Sequence, residues 1–358
     1  MMVCDLIDSP QYDICQSTKE QMLLCALNEL CEHHRRRCRE YDRLIEVLYP
    51  DFCGANTLAS VPYIPVGLFK SHLLRSVPES EIFKILTSSG TSGQSVSRIA
   101  LDRETARRQT IALGKIMTSL LGPERLPMLI VDSKSLLADR ARVNARTAAV
   151  VGMMNFGRDH VFALDSEMRV DWQAVHSFLR QFGTSPFFVF GFTFLVWQHL
   201  VVEAATRDID LSQGILLHGG GWKKMQELSV SNDEFKRSLR RQTGLRRVHN
   251  YYGLIEQVGG IYVEDDEGYL RAPNFTDVII RDPSTWQETE IGQPGVIQVL
   301  SVLPTSYPGH SILTEDIGIL HDAGGAGREN LGKRFSVVGR APKAELRGCS
   351  DVYASTVS

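Results

Sequence analysis

The sequence predicts an α/β protein in which a parallel-rich sheet is followed by a smaller β-rich part. Short apolar runs alternate with amphipathic helical patterns up to about residue 258, an order typical of parallel sheets covered by helices. One run, Leu126–Ser133, is almost continuously apolar, as strands buried on both faces are. From about Gly259 onward, short alternating runs separated by Gly- and Pro-containing turns indicate mainly antiparallel strands.

The individual elements follow in chain order. A first helix is predicted to open at Ser17 and Glu20, and we interpret its basic end, His33–Arg39, as a solvated face. Strands are predicted at Ile82–Leu86 and Ser97–Asp102, and the aspartate that ends the second one can cap the helix that follows. The apolar side of the first helix carries Met22, Leu23, Leu27 and Leu30. The later predicted strands and helices are Phe187–Phe190, Gly214–His218, Arg247–Tyr251, Trp172–Phe182 and Asp233–Gln242.

The composition is that of an ordinary globular protein and argues against several classes of function. The chain has 358 residues, 43% of them hydrophobic and 23% charged, with a net charge of −3 and a pI of about 6.4. No bulk basic field indicates nucleic acid as a partner. No apolar run approaches the roughly 20 residues that span a bilayer, and the N-terminus lacks the pattern of a signal peptide. The seven cysteines form no Cys-x-x-Cys pair, so we expect a reduced, cytoplasmic protein without a disulfide framework.

The segment "ILTSSGTSGQS" places six hydroxyl residues and two glycines at the end of a predicted strand. Glycine lets the backbone approach a phosphate closely, and small hydroxyls add hydrogen-bond donors without bulk. A P-loop of nucleotide triphosphatases would need Lys-Ser/Thr after its last glycine. Gln94 and Ser95 follow Gly93 instead, which argues against that motif and leaves an anion-binding loop or an ordinary polar turn. The candidate phosphate-binding residues are Thr87, Ser88, Ser89, Gly90, Thr91, Ser92 and Gly93.

Four later segments carry further candidate residues. The segment "LLHGGGWKKM" contains three consecutive glycines, which cost conformational entropy on folding and rarely serve packing alone. The others are "VHNYYGLIEQ", "LTEDIG" and "VVGRAPKAELRG". Taken singly, these three have ordinary structural explanations: a buried tyrosine pair, an aspartate in a turn and a surface arginine. The candidates are Gly219, Gly220, Gly221, Tyr251, Tyr252, Gly253, Glu256, Asp316 and Arg340.

Together and in this order, the five segments resemble the motifs of adenylate-forming enzymes. The resemblance implies that ATP and Mg²⁺ are cofactors and that the hydroxyl-rich loop grips the leaving pyrophosphate. It also implies that the glycine loop lies beneath adenine, that Tyr252 packs on adenine, that Asp316 binds the ribose and that Arg340 reaches the nucleotide. Glu256, with Thr91, would hold Mg²⁺, a hard cation that suits oxygen ligands and neutralises phosphate charge.

The sequence departs from the motifs of that superfamily at three places. The Pro-Lys end of the hydroxyl-rich loop is replaced by Ser95-Val96, with Arg98 the nearest cation in sequence. Ile255 stands where threonine is usual, and Glu315 stands where glycine is usual. These departures keep open a homologue that binds nucleotide without catalysing a reaction.

The ending narrows the resemblance to the acyl-protein synthetase (LuxE) family, because the chain stops soon after the Gly-Arg motif and reads "RGCSD" near its end. The resemblance implies an adenylate-forming-enzyme large domain, with parallel-rich sheets between helices, a β-barrel-like subdomain and no C-terminal lid domain. It also implies an acid–thiol ligase that activates a carboxylic acid, expected to be a fatty acid, as acyl-AMP and then carries the acyl group as a thioester on Cys349 for an acyl reductase partner. A thiolate can displace AMP from a mixed anhydride, and Arg347 nearby would lower the thiol pKa.

The sequence suggests four parts and leaves several questions open. We expect an N-terminal helical extension at 1–60, an α/β adenylation core at 61–258, a β-rich subdomain at 259–340 and a tail at 341–358 that carries the acceptor cysteine. The alternative enzyme adenylates an aryl or other small carboxylic acid and passes it to CoA or a carrier protein. The aromatic run at Phe187–Trp197 is more typical of a core than of an acyl pocket, and His218 and His249 are as consistent with satisfied core histidines as with catalytic ones. The acid and the oligomeric state stay open.

Overall fold

The computed structural model describes residues 2–88, 96–137, 145–220, 230–323 and 332–341. Within these residues, twelve strands form one large mixed sheet, and β2 and β3 form a separate antiparallel hairpin. The helices are Met2–Asp8 (α1), Gln16–Arg37 (α2), Arg39–Leu48 (α3), Leu68–Ser71 (α4), Arg103–Leu121 (α5), Ala145–Met154 (α6), Trp172–Phe182 (α7), Thr193–Val196 (α8) and Asn232–Thr243 (α9). The strands are Ile64–Pro65 (β1), Lys84–Thr87 (β2), Arg98–Leu101 (β3), Leu126–Ser133 (β4), Gly157–Leu164 (β5), Phe187–Phe192 (β6), Gly214–Gly219 (β7), Arg247–Tyr252 (β8), Tyr262–Glu264 (β9), Leu270–Arg271 (β10), Thr276–Arg281 (β11), Pro294–Ser301 (β12), Ser311–Asp322 (β13) and Arg334–Arg340 (β14).

One half of the large sheet is parallel, in the order β5-β4-β6-β7-β8. Both of its faces are covered: α2 and α5 pack on one side, and α7 and α9 pack on the other. Because both faces are buried, its strands are apolar throughout, which is why their sequences predicted them well. Strand β4 has the predicted bounds, and α7 begins and ends as predicted. The α/β prediction is therefore confirmed.

The other half is mainly antiparallel and continues the same sheet. Strand β8 pairs antiparallel with β9, and the path then runs through β10, β14, β13, β12 and β11. The change from parallel to antiparallel pairing comes between β8 and β9, whose connection contains Gly259, where the sequence pattern also changes. The short strand β1 adds to β13 in parallel, with Pro65 opposite Leu313.

The N-terminal helices pack into the core. Helix α2 differs from the prediction in where it begins and in how far its basic end is solvated. Helix α2 begins at Gln16, one residue before the predicted opening at Ser17, and Cys15 precedes it without a side-chain cap bond. The basic end of α2 is only partly solvated. The Arg36 side chain is 77% exposed, but His34 is fully buried, with its Nδ1 2.7 Å from the Ser76 hydroxyl. A polar partner from a distant segment allows this burial.

A buried ion cluster joins α2 to the antiparallel half of the sheet. Asp277 of β11 lies 3.6 Å from the Lys19 ammonium and 3.1 Å from the Lys333 ammonium, and all three side chains are almost fully buried. The Gln16 amide donates a hydrogen bond of 2.9 Å to the same carboxylate. Each ammonium also donates to a backbone carbonyl, of Ala272 and Val278 respectively. We call Lys19, Asp277 and Lys333 the core ion cluster.

In the part of the chain that the structure describes, no helix is both long enough and apolar enough to cross a membrane.

Candidate active site

Several of the described candidate residues lie where two neighbouring parallel strands end. Strand β7 ends at Gly219 and β8 ends at Tyr252, and the two strands run parallel. The carboxyl ends of neighbouring parallel strands meet at the same edge, which is where open α/β sheets bind ligands.

Gly219 and Gly220 are required by close packing at this edge. A side chain at Gly219 would overlap the Tyr251 ring, and Gly220 has a φ of +77°, which favours glycine. The Tyr251 ring stacks on Phe190, with centroids 6.4 Å apart. Burial raises the pKa of Tyr251 to about 12. These two glycines therefore let an aromatic ring lie against the end of β7. The predicted third glycine, Gly221, lies outside the described residues.

Tyr252 lies on the opposite face of β8 from its neighbour, since successive strand residues alternate. Its ring packs near Tyr262 and Phe335. Its hydroxyl donates a hydrogen bond of 2.8 Å to Oδ2 of Asp316. Burial, together with the negative charge of Asp316, raises the pKa of Tyr252 well above its usual value. The phenol therefore stays protonated and continues to donate to the carboxylate.

Asp316 and Arg340 are directly opposite each other on β13 and β14. Nε of Arg340 lies 3.5 Å from Oδ1 of Asp316, and the arginine side chain is 80% exposed. The Asp316 backbone amide donates 3.1 Å to the Thr314 hydroxyl, which helps to fix the strand at this point. The structure thus brings together three of the residues predicted to bind nucleotide, Tyr252, Asp316 and Arg340, although they come from three separate strands.

Glu256 lies in a short 3₁₀ turn, Ile255–Gln257, four residues after β8. The turn is anchored by the Gln257 amide, which donates to the carbonyls of Gly309 and Val299 at 2.8 and 3.2 Å. Glu256 is only 5% exposed. Burial raises its pKa, the Ser97 hydroxyl and the Lys70 ammonium counteract this effect, and the Glu315 carboxylate adds to it. The site therefore contains a buried carboxyl group whose negative charge the protein compensates only in part.

Lys70 and Glu315 form an ion pair beside this carboxyl group. The Lys70 ammonium lies 3.3 and 3.4 Å from the two carboxylate oxygens of Glu315. The pairing of β1 with β13 brings the one-turn helix α4, and with it Lys70, next to Glu315. Sequence reasoning missed Lys70, because a single helical turn has no periodicity. The unusual glutamate in "LTEDIG" was the signal that could have prompted a search for a cationic partner.

The hydroxyl-rich loop is described only at its two ends. Thr87 is exposed at the end of β2. The Ser88 hydroxyl accepts a hydrogen bond of 2.9 Å from the Ser97 amide, and the Ser88 amide donates to the Ser97 carbonyl, so the two ends of the loop are held together. Ser97 is also one of the groups that lower the pKa of Glu256. The remaining loop candidates, Ser89, Gly90, Thr91, Ser92 and Gly93, and the acceptor Cys349 lie outside the described residues.

The two histidines near the motifs make contacts typical of core residues. His218 Nδ1 lies 2.9 Å from the Thr193 hydroxyl, and burial lowers the pKa of His218 to about 3. His249 Nδ1 lies 2.9 Å from the Glu264 carbonyl, and burial lowers the pKa of this ring as well. Both are neutral at physiological pH, and both are bonded to groups within the protein.

Comparison with known proteins identifies the family of the chain. The model of the family described as acyl-protein synthetase, LuxE, matches residues 2–358. The chain belongs to the acyl-protein synthetase (LuxE) family. A long-chain-fatty-acid–luciferin-component ligase of Vibrio harveyi is 25% identical over 313 residues, which cover 82% of this chain and 77% of the relative. The corresponding ligase of Aliivibrio fischeri is 25% identical over 290 residues, covering 75% and 71%.

Solved structures show the same fold in adenylate-forming ligases. A 2-hydroxyisobutyryl-CoA ligase in complex with 2-HIB-AMP and CoA superposes with a TM-score of 0.66 at 14% identity, covering 92% of this chain and 76% of that one. The same ligase in its thioesterification state superposes with a TM-score of 0.66 at 16% identity, covering 91% of this chain and 69% of that one. The predicted fold, the large domain of an adenylate-forming enzyme, is thereby confirmed for this LuxE-family chain.

Proposed function

We propose that this protein is an ATP-dependent acyl-protein synthetase that activates a carboxylic acid, most simply a long-chain fatty acid, and transfers the acyl group to its own Cys349. The observation that carries the proposal is the convergence of Tyr252, Asp316 and Arg340 from three strands, with the buried Glu256 in the turn that follows the strand of Tyr252. The family of the chain and the names of its curated relatives support a fatty acid as the substrate.

In the first step, an oxygen of the substrate carboxylate attacks the α-phosphorus of ATP. The bond between this phosphorus and the bridging oxygen to the β-phosphorus breaks, and pyrophosphate leaves with the electron pair. Asp316 accepts hydrogen bonds from the ribose hydroxyls, and Tyr252 and Arg340 keep its carboxylate in place on either side. The hydroxyl-rich loop from Thr87 to Gly93 donates hydrogen bonds to the leaving pyrophosphate.

Glu256 is the protein ligand that we assign to Mg²⁺. Among the described residues, no three His, Cys, Asp or Glu side chains are grouped as a metal site. A single carboxylate nevertheless fits this ion, because Mg²⁺ is commonly held by one or two carboxylates together with substrate phosphates and water. The raised pKa of Glu256 also fits, since a bound cation would compensate its buried charge. When bound, the ion would neutralise phosphate charge.

In the second step, the Cys349 thiolate attacks the acyl carbon of the acyl adenylate. The thiol has lost its proton to solvent before the attack; the carbon–oxygen bond to AMP then breaks, and AMP leaves with the electron pair. The resulting thioester is then delivered to an acyl reductase partner. We propose the cytoplasm as the location of both steps, because thiols such as Cys349 stay reduced there.

The decisive experiment combines two assays on the full chain and on Cys349→Ser. Acid-dependent exchange of pyrophosphate into ATP reports the first step, and labelling of the protein from a radioactive fatty acid reports the second. We expect Cys349→Ser to retain exchange and to lose labelling. Cys25→Ser, at an exposed cysteine of α2, is the matched control and should retain both.

Other outcomes would redirect the proposal. Unchanged labelling of Cys349→Ser would contradict the acceptor assignment. Labelled product on CoA with none on the protein would favour an enzyme that serves an external thiol. Failure of every acid to drive exchange, despite ATP binding, would indicate a homologue that binds nucleotide without catalysis.

A further inference from the structure

Lys70 places a positive charge at the edge that carries the predicted nucleotide site, and none of the sequence motifs accounts for it. Its ammonium contacts the carboxylate of Glu315, the residue next to Asp316. The Lys70 side chain is 40% exposed and that of Glu315 is 50% exposed. The pair therefore lies at the surface of the site, within reach of a ligand, and not within the core.

The Lys70–Glu315 pair is better placed to contact the phosphates of a bound ATP than its adenosine part. Asp316 contacts Tyr252 and Arg340, whereas its neighbour Glu315 contacts Lys70. Gln257, the residue after Glu256, donates to the Val299 carbonyl. Val299 is paired with Ile312 of β13, and Ile312 is paired with Ile64 of β1. The turn that carries Glu256 and the segment that leads to Lys70 therefore lie against the same part of the sheet, and Lys70 acts electrostatically on Glu256.

The chemistry of the proposed reaction requires cations at this place. Bound ATP carries several negative charges, and positive groups aimed at the phosphates stabilise both binding and transfer. The hydroxyl-rich loop has Ser95-Val96 where adenylate-forming enzymes usually carry Pro-Lys. The loop itself therefore lacks the lysine expected in that motif, and a lysine from another segment can fill the role.

We propose that Lys70, oriented by Glu315, binds the phosphate oxygens of ATP from the side of Glu256. This inference rests on the proposed function, because it assigns a ligand group to the same site. A lysine ammonium has three donors, so it can hold Glu315 and a phosphate oxygen at once. Exposed ion pairs are weak, so Glu315 orients the ammonium without preventing its contact with a more highly charged ligand. Lys70 is thus a binding residue, and Glu315 is a positioning residue.

The test compares the binding of ATP with that of adenosine, which lacks phosphates, by titration calorimetry on the full chain. We expect Lys70→Ala to weaken ATP binding about 10- to 100-fold, the range for loss of a hydrogen bond between charged groups. Adenosine binding should stay within about twofold, because the Lys70 ammonium is paired with Glu315, whereas Asp316, which we assign to the ribose, is paired with Arg340. Lys70→Arg should restore most of the ATP affinity. Arg36→Ala, in the exposed Arg36–Glu32 pair of α2, is the matched control and should change neither affinity.

The role of Glu315 is tested by the same ratio of affinities. Glu315→Gln should reduce the preference for ATP over adenosine by a smaller factor than Lys70→Ala, and Glu315→Asp should recover part of it. Equal losses of ATP and adenosine affinity in Lys70→Ala would overturn the inference, because they would indicate a structural role. An unchanged ATP affinity would also overturn it.

The inference and the proposed function fail separately. If Lys70→Ala loses its preference for ATP over adenosine and the wild type shows no acid-dependent exchange, the phosphate contact is supported and the proposed activity is contradicted. Exchange that is equally fast in wild type and Lys70→Ala at low ATP concentration supports the activity and contradicts the inference.

Discussion

Two clusters of lysine and carboxylate side chains show how differently this protein treats charge in its core and at its site. In the core ion cluster, the side chains of Lys19, Asp277 and Lys333 are 1%, 0% and 7% exposed. At the edge of the sheet, Lys70 and Glu315 are about half exposed and lie beside the buried Glu256. We call these three residues the edge cluster.

The two buried carboxyl groups differ in how fully the protein compensates them. Burial alone would raise the pKa of Asp277, but the Lys333 and Lys19 ammonium groups outweigh it and leave the pKa lowered. Burial also raises the pKa of Glu256, and there the nearby groups do not overcome it. A charge that serves stability is satisfied within the protein, whereas a charge left partly uncompensated is available to a ligand.

The largest effect should come from breaking the core ion cluster. Asp277→Ala would leave two buried ammonium groups without their shared carboxylate, and we expect a loss of about 3–5 kcal/mol in the free energy of unfolding. Urea denaturation followed by circular dichroism measures it. A loss below about 1 kcal/mol would show that the cluster contributes little to the fold.

Buried histidines should make the core sensitive to acid. His310 is fully buried, with its Nε2 near the Cys31 thiol and the Tyr41 hydroxyl, and burial lowers its pKa to about 3. The unfolded chain binds this proton near pH 6.5 and the folded protein only near pH 3. Stability is therefore complete above about pH 6.5 and falls as the pH drops toward 3, by about 1.4 kcal/mol per pH unit for each such histidine.

The variant His310→Gln isolates this contribution. Between pH 6 and pH 4, the free energy of unfolding of the variant should fall less steeply with pH than that of wild type. The difference in slope should be about 1.4 kcal/mol per pH unit, which corresponds to one proton. Urea denaturation at each pH measures it. The comparison uses slopes, so a uniform loss of stability in the variant does not affect it. An unchanged slope would exclude His310 as a source of the acid sensitivity.

A smaller effect is expected where a hydrogen bond joins the core to the site. Tyr252→Phe removes the hydroxyl that donates to Asp316 and keeps the packing of the ring. We expect a loss of about 1 kcal/mol in the free energy of unfolding, measured by thermal and urea denaturation. Tyr49→Phe, which removes a hydroxyl bonded to the Tyr63 backbone, is a control for loss of a hydroxyl group away from the site. A loss above about 3 kcal/mol in the free energy of unfolding would show that the Tyr252 hydroxyl serves mainly the stability of the core.

The sequence predicted the local parts of this fold better than its long-range contacts. Strand β4 was recognisable because burial on both faces requires a continuous apolar run. The burial of Lys19 was not recognisable, because its carboxylate partner lies 258 residues later in the chain. His34 was assigned to a solvated face for the same reason: its partners come from Ser76, Pro304 and His310.

The candidate site shows the same limit. The grouping of Tyr252, Asp316 and Arg340 could be predicted because each lies in a motif that resembles a known family. Lys70 could not, because it lies in a one-turn helix brought to the site by the pairing of β1 with β13. Chemistry supplied by a short connecting segment leaves no periodic pattern in the sequence.

The smallest effect on stability should come from the edge cluster. Glu315→Gln removes the charge of an exposed ion pair, and such pairs contribute about 0–1 kcal/mol. We expect its urea midpoint to stay close to that of wild type, in contrast to Asp277→Ala, although both variants remove a carboxylate paired with lysine. Adding salt should reduce even this small difference, because exposed charges are screened. A loss of several kcal/mol would show that Glu315 is structural, and any change in nucleotide binding in that variant would then reflect unfolding and not the site.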